Sequence, residues 1–141
     1  MKYSDTRITA RYQETDKMGI IHHSVYPVWF EAARTDFIKA CGHSYSLLEK
    51  KGLMLPLISL EAEYLNPSYY EDTVIIRSRL KNLSATRMTV SYEVFRADDD
   101  KRIISRGSTT HVFTDRDMKP VNAKKKFPEV HEALKKIYEE K

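Results

Sequence analysis

The spacing of apolar residues changes period along the chain. In residues 3–12, Ile8, Ala10 and Tyr12 alternate with Arg7, Thr9 and Arg11. Period two predicts a half-buried strand. A polar stretch follows from Gln13, and Gly19 is its natural turn residue. The period then lengthens. Trp29, Ala33, Phe37, Ala40 and Cys41 recur at helical spacing, and Phe30 and Ala32 widen the stripe. Small alanines among large aromatics predict a helix packed closely on a sheet. Ser24 is the expected cap, Pro27 suits the first turn, and Gly42 ends the helix. A short second helix is expected over 44–51, stopped by Gly52.

Period two then returns. Strands are expected at Leu55–Tyr64, 73–82, 86–97 and 102–114. Asn66-Pro67 breaks the first from the second, and Asp98-Asp99-Asp100-Lys101 has the composition of a hairpin turn. Lys124-Lys125-Lys126 reads as a charged connector before an amphipathic helix over 128–140, with Val130, Leu134, Ile137 and Tyr138 on one side. Consecutive strands joined by tight turns make an antiparallel sheet, and the one long apolar helix must lie on its face. The expectation is an α+β chain: a curved sheet wrapped around a helix.

Composition narrows this modestly. The 141 residues suffice for one domain with a real core, and no linker divides them. Hydrophobic residues at 41% and charged residues at 31% argue against disorder. No run is apolar and long enough to span a bilayer, the N-terminus lacks a signal-like stretch, and Cys41 has no partner for a disulfide. These features suit a cytoplasmic protein. The net charge of +4 is a mild excess that suits an anionic small ligand. Nucleic acid is not an expected partner, because no zinc pattern, glycine-aromatic motif or basic helix is present.

The stretch Arg11-Tyr12-Gln13-Glu14-Thr15-Asp16-Lys17-Met18-Gly19-Ile20-Ile21-His22-His23-Ser24-Val25-Tyr26 resembles the active-site segment of the 4-hydroxybenzoyl-CoA thioesterase family. It continues as Trp29-Phe30-Glu31-Ala32-Ala33-Arg34, like the start of that family's central helix. Glu61-Ala62-Glu63-Tyr64-Leu65-Asn66-Pro67 and Gly107-Ser108-Thr109-Thr110-His111-Val112 are similar to its second strand and a late strand. Ser24 and His22-His23 depart from the more usual Asn and Tyr-His. The resemblance implies a hot-dog fold, acyl-CoA substrates, a homodimer or homotetramer, and active sites at the subunit interface.

A thioester is already activated, so its hydrolysis needs a base or nucleophile and a donor for the charge on the carbonyl oxygen. With the resemblance, Asp16 is the expected base or nucleophile, and His23 its partner. Gly19, Ser24, Val25 and Tyr26 form the expected oxyanion region, using unpaired N–H groups at the helix start. Tyr12 and Tyr26 are candidates for an acyl pocket. For the coenzyme A phosphates, Lys81, Ser84, Thr86 and Arg87 around one turn are first choices, with Arg106 and Lys124 to Lys126 behind them. No metal is expected, since Asp16, His22 and His23 match no zinc spacing. No cofactor is expected either; coenzyme A is part of the substrate. Glu31 and Arg34 are placed to pair on the helix surface. Cys41 with His43 lacks a third orienting group for nucleophilic catalysis. Competing readings are a non-catalytic acyl-CoA sensor, an acyl carrier protein thioesterase, and a hot-dog hydratase; the last lacks a His-Phe-Pro-Gly-like segment.

Overall fold

The computed structural model describes residues 1–140, apart from the side chains of Asp100 and Lys101. Strand β1 is Ser4–Thr9, shorter than the alternation predicts, because Tyr12–Glu14 closes into one 3-10 turn. Helix α1 is Val25–Ala40 and α2 is Tyr45–Lys51. Gly42 and Gly52 follow them with φ of +90° and +88°, the left-handed stop that glycine adopts without strain. Strands β2 (Leu57–Tyr64), β3 (Thr73–Leu83), β4 (Arg87–Arg96) and β5 (Asp99–Val112) complete an antiparallel sheet of order β1-β3-β4-β5-β2.

Two connections differ from expectation. The β4–β5 turn is only Ala97-Asp98, since Arg96 pairs with Asp99 and β5 begins inside the acidic run. The three lysines are no open connector: Ala123–Lys126 is a helical turn, α3, whose Asn122 side chain accepts from Lys125 N–H at 3.1 Å. Helix α4 is Pro128–Glu139.

The apolar face of α1 packs onto the sheet. Trp29, Phe30, Ala33 and Phe37 are buried against Val74, Ile76, Val90 and Tyr92, and Phe30 stacks on Tyr92 with ring centroids 4.6 Å apart. Each fully buried aromatic or branched side chain here contributes roughly 1.5–3 kcal/mol. Closeness is allowed by Gly107 on β5: a β-carbon there would lie 2.4 Å from the Glu61 carbonyl and 2.7 Å from the Phe30 ring. The helix leaves β2 uncovered. That edge strand exposes Leu57, Ile58, Leu60 and Tyr64. Among the described residues no helix is long and apolar enough to cross a membrane.

Candidate active site

The arm between β1 and α1 carries Asp16. Its anchor is Glu14, a carboxylate only 6% exposed. Glu14 Oε1 accepts from Arg11 N–H at 2.7 Å, and Oε2 accepts from the Trp29 indole N–H at 3.3 Å. The Glu14 carbonyl also accepts from His22 N–H at 2.9 Å. One residue thereby ties both limbs of the arm to α1. Sequence reading missed Glu14, which looks like any loop acid; the S/T/D-x-x-E spacing of a capping box was masked by Arg11 at the cap position.

Beyond Glu14 the arm closes on itself. Thr15 bridges Ile21, and Asp16 N–H donates to the Ile20 carbonyl at 2.9 Å. Gly19, at φ +80°, makes the reversal. Asp16 Oδ1 accepts from Met18 N–H at 2.8 Å, a turn that fixes the carboxylate's orientation. Among the described residues Oδ2 has no partner.

At the helix start the expected cap is absent. The Ser24 side chain bonds no helix N–H; its Oγ lies 2.7 Å from His22 Nδ1, which also accepts from Ser24 N–H at 3.1 Å. Val25 N–H donates to the His22 carbonyl at 3.0 Å. The N–H groups of Ser24 and Val25 are thus occupied, and Pro27 has none. Those of His23 and Tyr26 have no partner among the described residues, and they lie at the positive end of a 16-residue helix.

A cavity of about 500 Å³ opens between the arm and the segment after β2. Asp16 and His23 line it together with Tyr26, Tyr64 and apolar neighbours. Tyr64 Oη donates to the His23 carbonyl at 2.9 Å, and the Tyr64 ring stands edge-on to Tyr26. Tyr26 Oη and Ser68 Oγ are 2.6 Å apart, both buried, and burial pushes the Tyr26 phenol above its ordinary pKa. His22 stacks beside His23 but does not line the cavity. Tyr12 is no pocket residue either: it is 73% exposed on the 3-10 turn, against Tyr70.

The expected phosphate contacts lie elsewhere. Asp72, just before β3, accepts from Ala10 N–H near the Asp16 arm, whereas Ser84, Thr86 and Arg87 sit beyond the strand's far end. About ten strand residues separate them, roughly 30 Å. Within one chain these residues are not brought to the cavity. Ser84 Oγ accepts from Arg87 N–H at 3.0 Å and holds the turn. Lys81 occupies a bulge and lines, with Arg106, a groove on the outer sheet face beside Glu61, Glu63 and Glu93.

Two other sequence candidates, the Glu31–Arg34 pair and Cys41, resolve clearly. Arg34 does not pair with Glu31: its Nε donates to Tyr45 Oη at 3.1 Å and its Nη1 to Tyr92 Oη at 3.3 Å. From there a one-way chain continues. Tyr92 Oη lies 2.6 Å from Thr109 Oγ1, which lies 2.9 Å from His111 Nε2, while His111 Nδ1 is 3.1 Å from the Leu55 carbonyl. A carbonyl only accepts, so Nδ1 carries the hydrogen and Nε2 receives the threonine's. Burial, then the Arg34 charge, pushes the His111 pKa down to about 4. Cys41 donates to the Phe37 carbonyl, and burial pushes its thiol up to about 11, the opposite of an activated nucleophile.

The family model of the thioesterase-like superfamily matches residues 10–137. YneP of Bacillus subtilis, provisionally named an acyl-CoA thioesterase, is 32% identical over 96% of this chain and 98% of its own length. The crystal structure of a DHNA-CoA thioesterase from Staphylococcus aureus aligns with TM-score 0.90 and 37% identity, covering 98% of this chain and 92% of that one. A 4-hydroxybenzoyl-CoA thioesterase aligns with TM-score 0.80 at 16% identity, over 92% of this chain and 99% of its own, which is a likeness of fold. By its sheet wrapped on α1, and by these matches over nearly its whole length, the chain belongs to the thioesterase-like superfamily of hot-dog thioester hydrolases.

Proposed function

We propose that the chain hydrolyses an acyl-CoA to free acid and coenzyme A, with Asp16 as general base or nucleophile. The carrying observation is the shared cavity: Asp16, whose carboxylate is oriented by Met18 N–H, lines a space walled mainly by apolar side chains. A thioester carbonyl seated there meets Asp16 on one side and the unpaired N–H groups of His23 and Tyr26 on the other. Those donors stabilise the oxyanion as the carbon becomes tetrahedral. Asp16 either takes the proton of an attacking water or attacks directly to give a mixed anhydride that water then opens. His23, which lines the same cavity, would guide the departing thiolate. No cofactor takes part, and the setting is cytoplasmic.

The working unit we propose is at least a homodimer. Edge strand β2 has unpaired backbone groups and exposed Leu57, Leu60 and Tyr64, features that favour a second copy of this chain. Antiparallel β2–β2 pairing would exchange the ends of the two sheets. The partner's far end, including its Arg87 turn, would then lie on the side of this chain's Asp16, which is how the distant cations could serve the phosphates. The test is thiol release from short, long and aromatic acyl-CoAs and from an acyl carrier protein thioester, with solution mass measured in parallel. Release from acyl-CoA by a dimer or larger assembly is expected. Tight acyl-CoA binding without release would favour the sensor reading, and an active monomer would remove the paired-edge proposal.

A further inference from the structure

The loop that leads into α1 is tied to the sheet by one side chain. Tyr64, the last residue of β2, touches both residues whose N–H groups are unpaired at the helix start. Its ring stands edge-on to Tyr26, with centroids 5.4 Å apart, and edge-on to His23 at 6.3 Å. Its Oη donates to the His23 carbonyl at 2.9 Å, across 41 residues of sequence. Resting on the thioesterase reading above, we propose that Tyr64 is a positioning residue for hydrolysis: its hydroxyl fixes the His23 peptide so that the N–H groups of His23 and Tyr26 meet the oxyanion.

The two peptide units flanking the His23 α-carbon set the direction of its N–H and its ring. In the first, the His22 carbonyl accepts from Val25 N–H at 3.0 Å. In the second, Ser24 N–H donates to His22 Nδ1 at 3.1 Å, and the His23 carbonyl takes the Tyr64 hydroxyl. Two of these three bonds close within residues 22–25, so the third alone links these units to a strand. Without it the His23 carbonyl is a free acceptor beside the cavity that His23 lines. Rotation of that peptide turns the N–H groups off line. It can also bring the carbonyl's negative end toward the oxyanion, opposing the charge those donors stabilise. Tyr64 is half exposed, so water can replace its bond at little cost to stability. The loss then falls on orientation in the transition state.

The experiment is Tyr64→Phe, which keeps the ring and removes only the hydroxyl. We expect kcat for thiol release from acyl-CoA to fall about tenfold, less than for loss of an oxyanion donor itself. KM should change by less than about twofold and the melting temperature by less than about 3 °C. Tyr64→4-aminophenylalanine returns a donor to the same point and should restore most of the rate. Parental kinetics in the Phe variant, a raised KM at unchanged kcat, or a loss that the amino side chain does not recover would each overturn the proposal. Amide hydrogen exchange over residues 22–26 reads the hold without turnover. It should quicken in Tyr64→Phe while the sheet amides keep their rates, and unchanged exchange would overturn the hold. If the parent releases thiol from no acyl-CoA, the thioesterase reading fails, and the exchange comparison still decides whether Tyr64 fixes the loop.

Discussion

Glu14 offers a test of how the arm is held. In Glu14→Gln the shape is kept, but the side chain has one accepting atom for two donors. The oxygen will face Arg11 N–H, where the 2.7 Å contact is shorter, leaving the amide NH₂ against the Trp29 indole N–H. A charge-assisted bond is lost and a buried donor is left without an acceptor, together about 2–3 kcal/mol. The Arg11 guanidinium, 3.6 Å away and mostly exposed, contributes little to this sum. For a chain of this length the melting temperature should fall by roughly 6–12 °C. Trp29→Phe removes the indole donor but keeps an aromatic ring in the core. Pairing the two substitutions should cost less than their sum, because they remove a shared bond. Thermal unfolding of the four proteins measures both quantities. A Gln variant as stable as the parent, or strict additivity with Trp29→Phe, would refute the anchoring role.

Gly107→Ala should destabilise by about 3 kcal/mol, since its new methyl group meets a backbone carbonyl of β2 and a fully packed ring; denaturant titration with an unchanged midpoint would contradict the close packing of helix and sheet. His111 has a folded pKa of about 4 against an ordinary 6.5. The unfolded chain therefore binds the extra proton between those values, so stability is full above about pH 6.5 and declines as pH falls toward 4, by at most about 3 kcal/mol. His111→Gln should flatten that part of the stability profile in urea titrations across pH 4–7; an unaltered slope would show that other groups produce it. At pH 8 iodoacetamide should label Cys41 roughly 100-fold more slowly in the native protein than in urea, because its thiol is held near 11. Equal rates would contradict its burial.

Much of the architecture is legible in local pattern. The stripe from Trp29 to Phe37 predicts a buried helix, and alternation with turn residues predicts the four later strands, because these depend on neighbours within a few positions. Where long-range contacts decide, local rules mislead. The i, i+3 spacing favours a Glu31–Arg34 pair, yet Arg34 turns to Tyr45 and Tyr92, the latter 58 residues away. Ser24 has the composition of a cap, but His22 competes for its hydroxyl. Alternation in β2 says that one face is apolar; it cannot say that the strand lies at an edge with that face uncovered. Asp16 is recognisable through the segment around it. Its pocket is not, since Tyr64 and Asn66 reach it only through the sheet.

The most direct test of the central claim is the rate of thiol release by Asp16→Asn, measured beside the parent on the best acyl-CoA substrate, with melting temperature as a control. Asparagine can still accept from Met18 N–H, so the arm should keep its fold and the melting temperature should stay within about 2 °C. The account expects kcat to fall at least about a hundredfold. A variant that hydrolyses the substrate at near the parent's rate would contradict Asp16 as the group that cleaves the thioester.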